Sequence, residues 1–373
     1  MGQRSRDGAL PRGQHPHRPA RDEAARLRSY EADVAEGLED IARDEIQRRL
    51  SPQVTLLVVR VSRRAPSAIA FDYAGDPAAL LELRTMLAVS LVHRVAVPRP
   101  RAILGDAHLR DLLAQIRLVR DLTPASGYRT LSVGAAGSNS AVLTRLKAEL
   151  AGRTGLAPAD GEGDLYLRLR RPPNGGEGWE VVIRLTPRPL ATRAWRVRNP
   201  PGALNATVAH AMALLTRPRP DDVFLNLACG SGTLLVERLA CAPARRVIGC
   251  DISAAAREDA AVNVRASGHG ADVEIHEWDA RALPLPNSYV DTLCADLPFG
   301  HAVGSHDENV ALYPRILAEA ARVAKPDARF VLMTHEVQLM EVLLERSAEW
   351  AVEEQRRVRL GGLYPRIFVL RRR

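Results

Sequence analysis

Four short segments carry residues whose types and spacing could do chemistry, and each follows an apolar run. The sharpest is Asn226-Leu227-Ala228-Cys229-Gly230-Ser231-Gly232-Thr233, which leaves the run VFLNLA and enters LLVERLA. Gly230 and Gly232 let the backbone turn tightly and lie against a ligand where a Cβ would collide. No third glycine follows at dinucleotide spacing and no Gly-Lys-Ser/Thr is present, so the loop fits neither a dinucleotide fingerprint nor a phosphate cradle. Asp251, followed by Ile252, ends the run RVIGCD about twenty residues beyond the glycines. A carboxylate there can accept hydrogen bonds from both ribose hydroxyls of an adenosine-containing cofactor. Asp279-Ala280 follows VEIHEW and could meet an adenine ring by side chain and backbone. Asp296-Leu297-Pro298-Phe299-Gly300 follows YVDTLCA. Pro298 stiffens that turn, and Phe299, one of five phenylalanines in the chain, stands at its tip.

Stepping from one segment to the next, short apolar strands alternate with helices from Asp221 onward. The strands are VFLNLAC, RVIGCDI, VEIHEWDA, YVDTLCADLP and FVLMTH; the helices are LLVERLA, AAAREDAAVNVRASG and ILAEAARVAKP. Such alternation predicts a doubly wound parallel sheet covered on both faces. Ligands bind at the carboxyl ends of strands in such sheets, where all four segments lie. The segments EEQRRVRL and YPRIFVLRRR, joined by GGLYP, predict a closing antiparallel hairpin.

The front half has a different texture. Residues 1–28 carry too few apolar side chains to offset the entropy of ordering and are expected to be a disordered basic tail. EADVAEGLEDIARDEIQRRL places Val34, Leu38, Ile41, Ile46 and Leu50 at helical spacing. Strands are expected at 54–61 and 68–74, then a helix running into a strand over 80–97. Helices at 106–119 and 140–155 flank a strand at 130–136. The segments 164–171 and 179–186 read as a hairpin around PPNGGEG, and 187–203 is a Pro/Arg-rich connector.

The C-terminal signatures together resemble the S-adenosylmethionine-dependent methyltransferases with a Rossmann-like fold. The loop at 226–233 is similar to the Asp-Pro-x-Cys-Gly-Ser-Gly-Thr loop of the RNA guanine-N2 methyltransferases, with Asn226 and Leu227 in place of Asp and Pro. Asp296-Leu297-Pro298-Phe299 resembles the Asn/Asp-Pro-Pro-Tyr/Phe signature of amino-methylating enzymes. The resemblance implies S-adenosylmethionine as cofactor, held by Asn226, Ala228, Gly230, Gly232, Asp251, Ile252, Asp279, Ala280 and Asp296. In the family a helix comparable to that in GALNATVAHAM packs over the cofactor, which adds Asn205 and Thr207. An exocyclic amine on a purine has its lone pair delocalised into the ring. The Asp296 carboxylate and the Leu297 carbonyl can accept its two N–H bonds, localising the lone pair and aiming it at a methyl group. Phe299 can stack on a flipped-out base.

The front half resembles the ferredoxin-like plus THUMP region of the tRNA and rRNA guanine-N2 methyltransferases, in element order and in Gly37-Leu38-Glu39-Asp40-Ile41-Ala42. The implied organisation is a tail over 1–28, a ferredoxin-like domain over 29–99, a THUMP-like RNA-binding domain over 100–188 and a methyltransferase domain over 189–373. The implied reaction is methylation of the N2 amine of a guanosine, with tRNA favoured as the RNA partner and 23S rRNA the nearest alternative. A non-catalytic RNA-binding protein with a degenerate cofactor pocket is the other reading, motivated by Asn226-Leu227. Arg145, Lys147, Arg153, Arg188, Arg193 and Arg196 are candidate phosphate contacts.

Composition is compatible with this. The chain has 373 residues and a formal net charge of +8, carried almost wholly by Arg; the lysines are Lys147 and Lys325. A basic balance favours an anionic partner. No apolar run approaches the roughly 18–20 residues that cross a bilayer, and the basic, Pro/Gly-rich start is unlike a signal peptide. A cytoplasmic monomer with reduced cysteines and no metal is expected. His301, His306 and His335 lack metal-ligand spacing, Cys229 is expected as a small buried residue, and Glu237 either braces the glycine loop or faces solvent.

Overall fold

The computed structural model describes residues 27–61, 66–124, 127–135, 141–298 and 305–373. Most of the expected tail, and with it any account of its order, lies outside these residues. The front half contains β1 (Arg28–Val34), α1 (Glu39–Leu50), β2 (Val54–Arg60), β3 (Ser67–Tyr73) and β4 (Ala88–Val95). It continues with α2 (Asp106–Asp121), β5 (Thr130–Ala135), α3 (Ala141–Thr154), β6 (Ala157–Pro158), β7 (Leu165–Arg170) and β8 (Trp179–Arg184). All eight strands form one sheet in the order β2-β3-β1-β4-β8-β7-β5-β6. β4 pairs antiparallel with β8, Leu91 opposite Ile183, so the sheet runs unbroken across the domain divide expected near residue 99.

Two elements differ from expectation. The stretch from Glu31 to Val34 is the end of a strand, not the start of a helix. Tyr30, Ala32 and Val34 are buried at a spacing of two, the strand period, whereas the helical spacing holds only from Leu38. Gly37, at φ +96°, separates strand from helix. Over 80–97 the expected helix is reduced to a short 3-10 helix, Pro77–Glu82, capped by Asp76. It stops because Glu45, reaching from α1, takes the amides of Arg84 and Thr85 at 2.9 and 2.8 Å, leaving none for a continuing helix.

The C-terminal half contains α4 (Ala206–Leu215), β9 (Val223–Leu227), α5 (Thr233–Cys241), β10 (Arg246–Cys250), α6 (Ala254–Ala266), β11 (Val273–His276) and β12 (Val290–Asp296). It closes with α7 (His306–Val323), β13 (Ala324–Thr334), α8 (Val337–Glu345), β14 (Trp350–Arg357) and β15 (Arg366–Arg372). The sheet order is β11-β10-β9-β12-β13-β15-β14. The first five strands are parallel, and β15 runs antiparallel to β13 and β14, the expected closing hairpin. Alternate residues of β9 serve two cores: Val223, Leu225 and Leu227 pack with α7 and β13, while Phe224 joins a core continuous with the front half. α7 begins ten residues earlier than the sequence reading placed it and carries Pro314 inside it. Ser305, whose Oγ accepts from the Glu308 amide, caps the start.

The halves touch closely. A Cβ on Gly37 would lie 2.0 Å from the Arg357 carbonyl oxygen, so only glycine permits this approach. Arg356 bridges Asp40 and the Gly37 carbonyl. Among the described residues no helix is long and apolar enough to cross a membrane.

Candidate active site

Ala228, Gly230 and Gly232 have φ of +47°, +52° and +78°; three left-handed residues in five fold the loop back onto α5. The Cys229 amide donates to the Cys250 carbonyl at 2.9 Å, which pins the loop to the neighbouring strand end. A Cβ on Gly232 would stand 3.1 Å from the Ala260 Cβ, whereas one on Gly230 would meet nothing within 4 Å. Gly232 therefore serves packing against α6, and open space lies beside Gly230 for a ligand.

Asp251 follows β10 directly. Its Oδ2 accepts from the Gly230 amide at 3.0 Å and its Oδ1 from the Ser253 amide at 2.9 Å, so the carboxylate is fixed while each oxygen keeps a lone pair. Arg257 donates to the carbonyls of Asp251 and Ile252 at 3.0 Å each and braces this turn. Ile252 is 68% exposed, an apolar surface beside the carboxylate that suits a flat ring.

Asn226 lies opposite Gly249 on one side and Cys294 on the other. Its Nδ2 donates to the Leu227 and Cys294 carbonyls at 3.2 Å each. Its Oδ1 is buried with no partner among the described residues. An unmet acceptor at this depth can take a hydrogen bond from a ligand's ammonium group.

Asp296 ends β12. Burial pushes its carboxyl up to about 7, and its Oδ1 is buried without a partner among the described residues. Leu297 extends the parallel ladder by donating its amide to the Met333 carbonyl at 2.9 Å. The Pro298 carbonyl accepts from the Tyr313 hydroxyl at 2.6 Å. Phe299, like His301, lies outside the described residues. Asn226, Gly230, Asp251 and Asp296 are thus brought to one carboxyl edge of the sheet, with their polar atoms unmet or only partly used.

Other expected contacts are placed differently. Both oxygens of Asp279 accept from Arg281, at 2.7–3.0 Å, and this bonding holds the carboxyl below its ordinary range. Asn205 caps α4: its Oδ1 accepts from the Thr207 amide at 2.9 Å and hydroxyl at 2.6 Å. Thr207 is fully buried, and its hydroxyl proton is spent on Asn205. Arg193 is not a phosphate contact, because it too is buried and donates to Glu237 at 2.8 Å. Lys147 is held by the Ala159 carbonyl and Asp160, and Arg153 pairs with Glu149. Arg145 is exposed, Arg188 is 64% exposed beside Asp164, and Arg196 is half-buried against Asn199.

Four residues were not singled out for these contacts from sequence. Glu237 is fully buried and accepts from Arg84, Arg193 and His210 at 2.8–2.9 Å. Burial alone would raise its carboxyl, but the His210 hydrogen bond and the two guanidinium groups hold it at about 2. Asn263, on α6, pairs both ways with the Arg198 backbone and donates to the Ser231 carbonyl at 2.9 Å, stapling the connector to the glycine loop. Tyr313 is fully buried under the Asp296 turn. Asn309, one helical turn earlier on α7, is fully buried with neither carboxamide atom paired among the described residues. Glu237, Asn263 and Tyr313 make their contacts across elements distant in sequence. The Cys229 thiol is pushed up by burial, which leaves it inert as a nucleophile. Among the described residues no cluster of His, Cys, Asp and Glu could hold a metal ion.

The sheet order and the site at its carboxyl edge define a class I, Rossmann-like methyltransferase domain, preceded by an α+β region. Residues 193–366 match the family described as RMKL-like, methyltransferase domain. The mouse protein named tRNA (guanine(6)-N(2))-methyltransferase THUMP3 is 30% identical over 185 residues, covering 46% of this chain and 37% of that protein. The Thermus thermophilus tRNA (guanine(6)-N2)-methyltransferase is 31% identical over 207 residues, covering 55% of this chain and 60% of its own length. The matched stretches span 37% and 60% of these relatives' own lengths, less than two thirds of either. The solved structure of TrmN from Thermus thermophilus superposes with a TM-score of 0.70 at 24% identity, covering 93% of this chain and all of that one. That likeness extends the shared fold to the front half.

Proposed function

We propose that the protein is an S-adenosylmethionine-dependent RNA methyltransferase that modifies the exocyclic N2 amine of a guanosine, with tRNA as the favoured RNA. The observation that carries this reading is Asp296: a strand-end carboxylate with an unmet, buried oxygen, one strand over from a glycine loop with open space beside Gly230. The residues present fit the cofactor. Gly230 and Ala228 give backbone to lie against, Asp251 offers lone pairs to ribose hydroxyls, Ile252 offers an apolar face to the adenine, and Asn226 Oδ1 offers an acceptor to the methionine ammonium. The amide at 226 thus supplies the acceptor that Asp supplies in related loops, which weighs against a degenerate pocket.

When bound, the cofactor supplies an electrophilic methyl group. The chain's own residues bind and orient the amine: Asp296 and the Leu297 carbonyl each take one N–H, and Asp296, held near neutrality by burial, accepts the departing proton. The domain divisions near 28, 99 and 188 are kept as functional units, with the front half as the RNA-capture region. Arg145, Arg153 and Arg188 are the candidate phosphate contacts that remain open to solvent. Four free cysteines suit a cytoplasmic site of action.

The reading is tested by incubating the purified protein with methyl-labelled S-adenosylmethionine and unmodified total RNA. Label in RNA is expected, and Asp296→Ala is expected to abolish it while calorimetry still detects cofactor binding. No cofactor binding by the unaltered protein would sink the catalytic reading.

A further inference from the structure

The amine-binding turn is held from below by a buried hydroxyl pair. Tyr313 Oη lies 2.6 Å from the Pro298 carbonyl oxygen and 2.7 Å from Thr334 Oγ1. Counting protons fixes the direction of each bond. A carbonyl only accepts, so the single Tyr313 proton goes to Pro298. Thr334 must then donate to Tyr313, which it is free to do because its oxygen accepts from the Glu336 amide at 2.9 Å. The relay therefore runs one way, from the Glu336 amide through Thr334 and Tyr313 to Pro298. Tyr313 and Thr334 are fully buried, so no water substitutes for either bond.

This relay meets the turn at its third residue. Its second is already fixed by the Leu297 amide donating to the Met333 carbonyl, and its first by the register of Asp296 opposite Met333. The Leu297 carbonyl, the acceptor proposed for one amine N–H, lies on the short stretch between the amide anchor and the Tyr313 anchor. Without the second anchor the peptide following Leu297 can rotate, and that carbonyl with it.

Building on the proposed amine methylation, we propose that Tyr313 is a positioning residue for methyl transfer, and that with Thr334 it sets the direction of the Leu297 carbonyl. It touches neither cofactor nor substrate. A misplacement of about 1 Å in such a constellation costs on the order of 10²-fold in rate.

The test compares Tyr313→Phe, Thr334→Val and Thr334→Ser with the unaltered protein, under single-turnover conditions on RNA and by calorimetry with S-adenosylmethionine. Tyr313→Phe and Thr334→Val are expected to slow transfer roughly 10- to 100-fold with cofactor affinity unchanged. Thr334→Ser, which keeps the hydroxyl, is expected to stay close to the unaltered rate. A Tyr313→Phe rate equal to the unaltered one would overturn the proposal, as would equal losses in Thr334→Ser and Thr334→Val, or a loss of cofactor affinity parallel to the loss of rate. If Tyr313→Phe does not fold, the Ser and Val pair at 334 decides. An unaltered protein without activity would instead count against the methyltransferase reading itself.

Discussion

The Gly230 amide donates to Asp251 Oδ2 at 3.0 Å, tying the glycine loop of the first strand to the acidic residue of the second. The two signatures are thus one device: the carboxylate shapes the loop and presents its free lone pairs to the same side.

Asp251→Ala removes both the loop anchor and the proposed ribose acceptor. A hydrogen bond to a charged group contributes about 1.5–3 kcal/mol, so cofactor affinity measured by calorimetry is expected to fall at least tenfold. The variant is expected to remain folded by circular dichroism, because the carboxylate lies at the sheet's edge.

A pH profile follows from Asp296. Its carboxyl, raised by burial to about 7, accepts a proton only when ionised, so single-turnover transfer is expected to rise with pH through about 7 and then level off. The stability effect has the opposite sense. A carboxyl raised in the folded state favours folding when protonated, so its contribution is complete below the ordinary value of 3.8 and is lost as pH rises through about 7. Asp296→Asn is therefore expected to gain thermal stability relative to the unaltered protein at pH 8 and not at pH 4, while losing transfer at pH 8.

Glu237 joins the halves. Arg84 comes from the front half, Arg193 from the connector and His210 from α4, and all three donate to one buried carboxylate. Removing one member of such a cluster leaves uncompensated charge and costs about 3–5 kcal/mol; Glu237→Ala is expected to lose that much in urea denaturation. Because the carboxyl is depressed from 4.5 to about 2, its stabilisation is present above 4.5 and is lost as pH falls through about 2. The acid limb of the unfolding curve should flatten in the variant.

The strand-end signatures were legible in sequence because each is contiguous and follows its own apolar run. The fold of the C-terminal half was legible for the same reason. What was hidden depends on contacts between distant segments. Arg193 reads as one more basic residue in an Arg-rich connector, and only packing shows that it is spent on Glu237. Tyr313 escaped because the helix was expected to begin at Ile316, whereas it begins at His306 under a Ser305 cap and carries Pro314 within it. Glu31-Ala32-Asp33-Val34 was misread because Val34 and Leu38 sit at helical spacing across a strand end and the Gly37 turn.

The central claim is the chemical identity of the acceptor. Purified protein, tritiated S-adenosylmethionine and unmodified tRNA, digested to nucleosides and separated by chromatography, test it most directly. Label is expected in N2-methylguanosine; label in N6-methyladenosine or 5-methylcytidine would contradict the assignment.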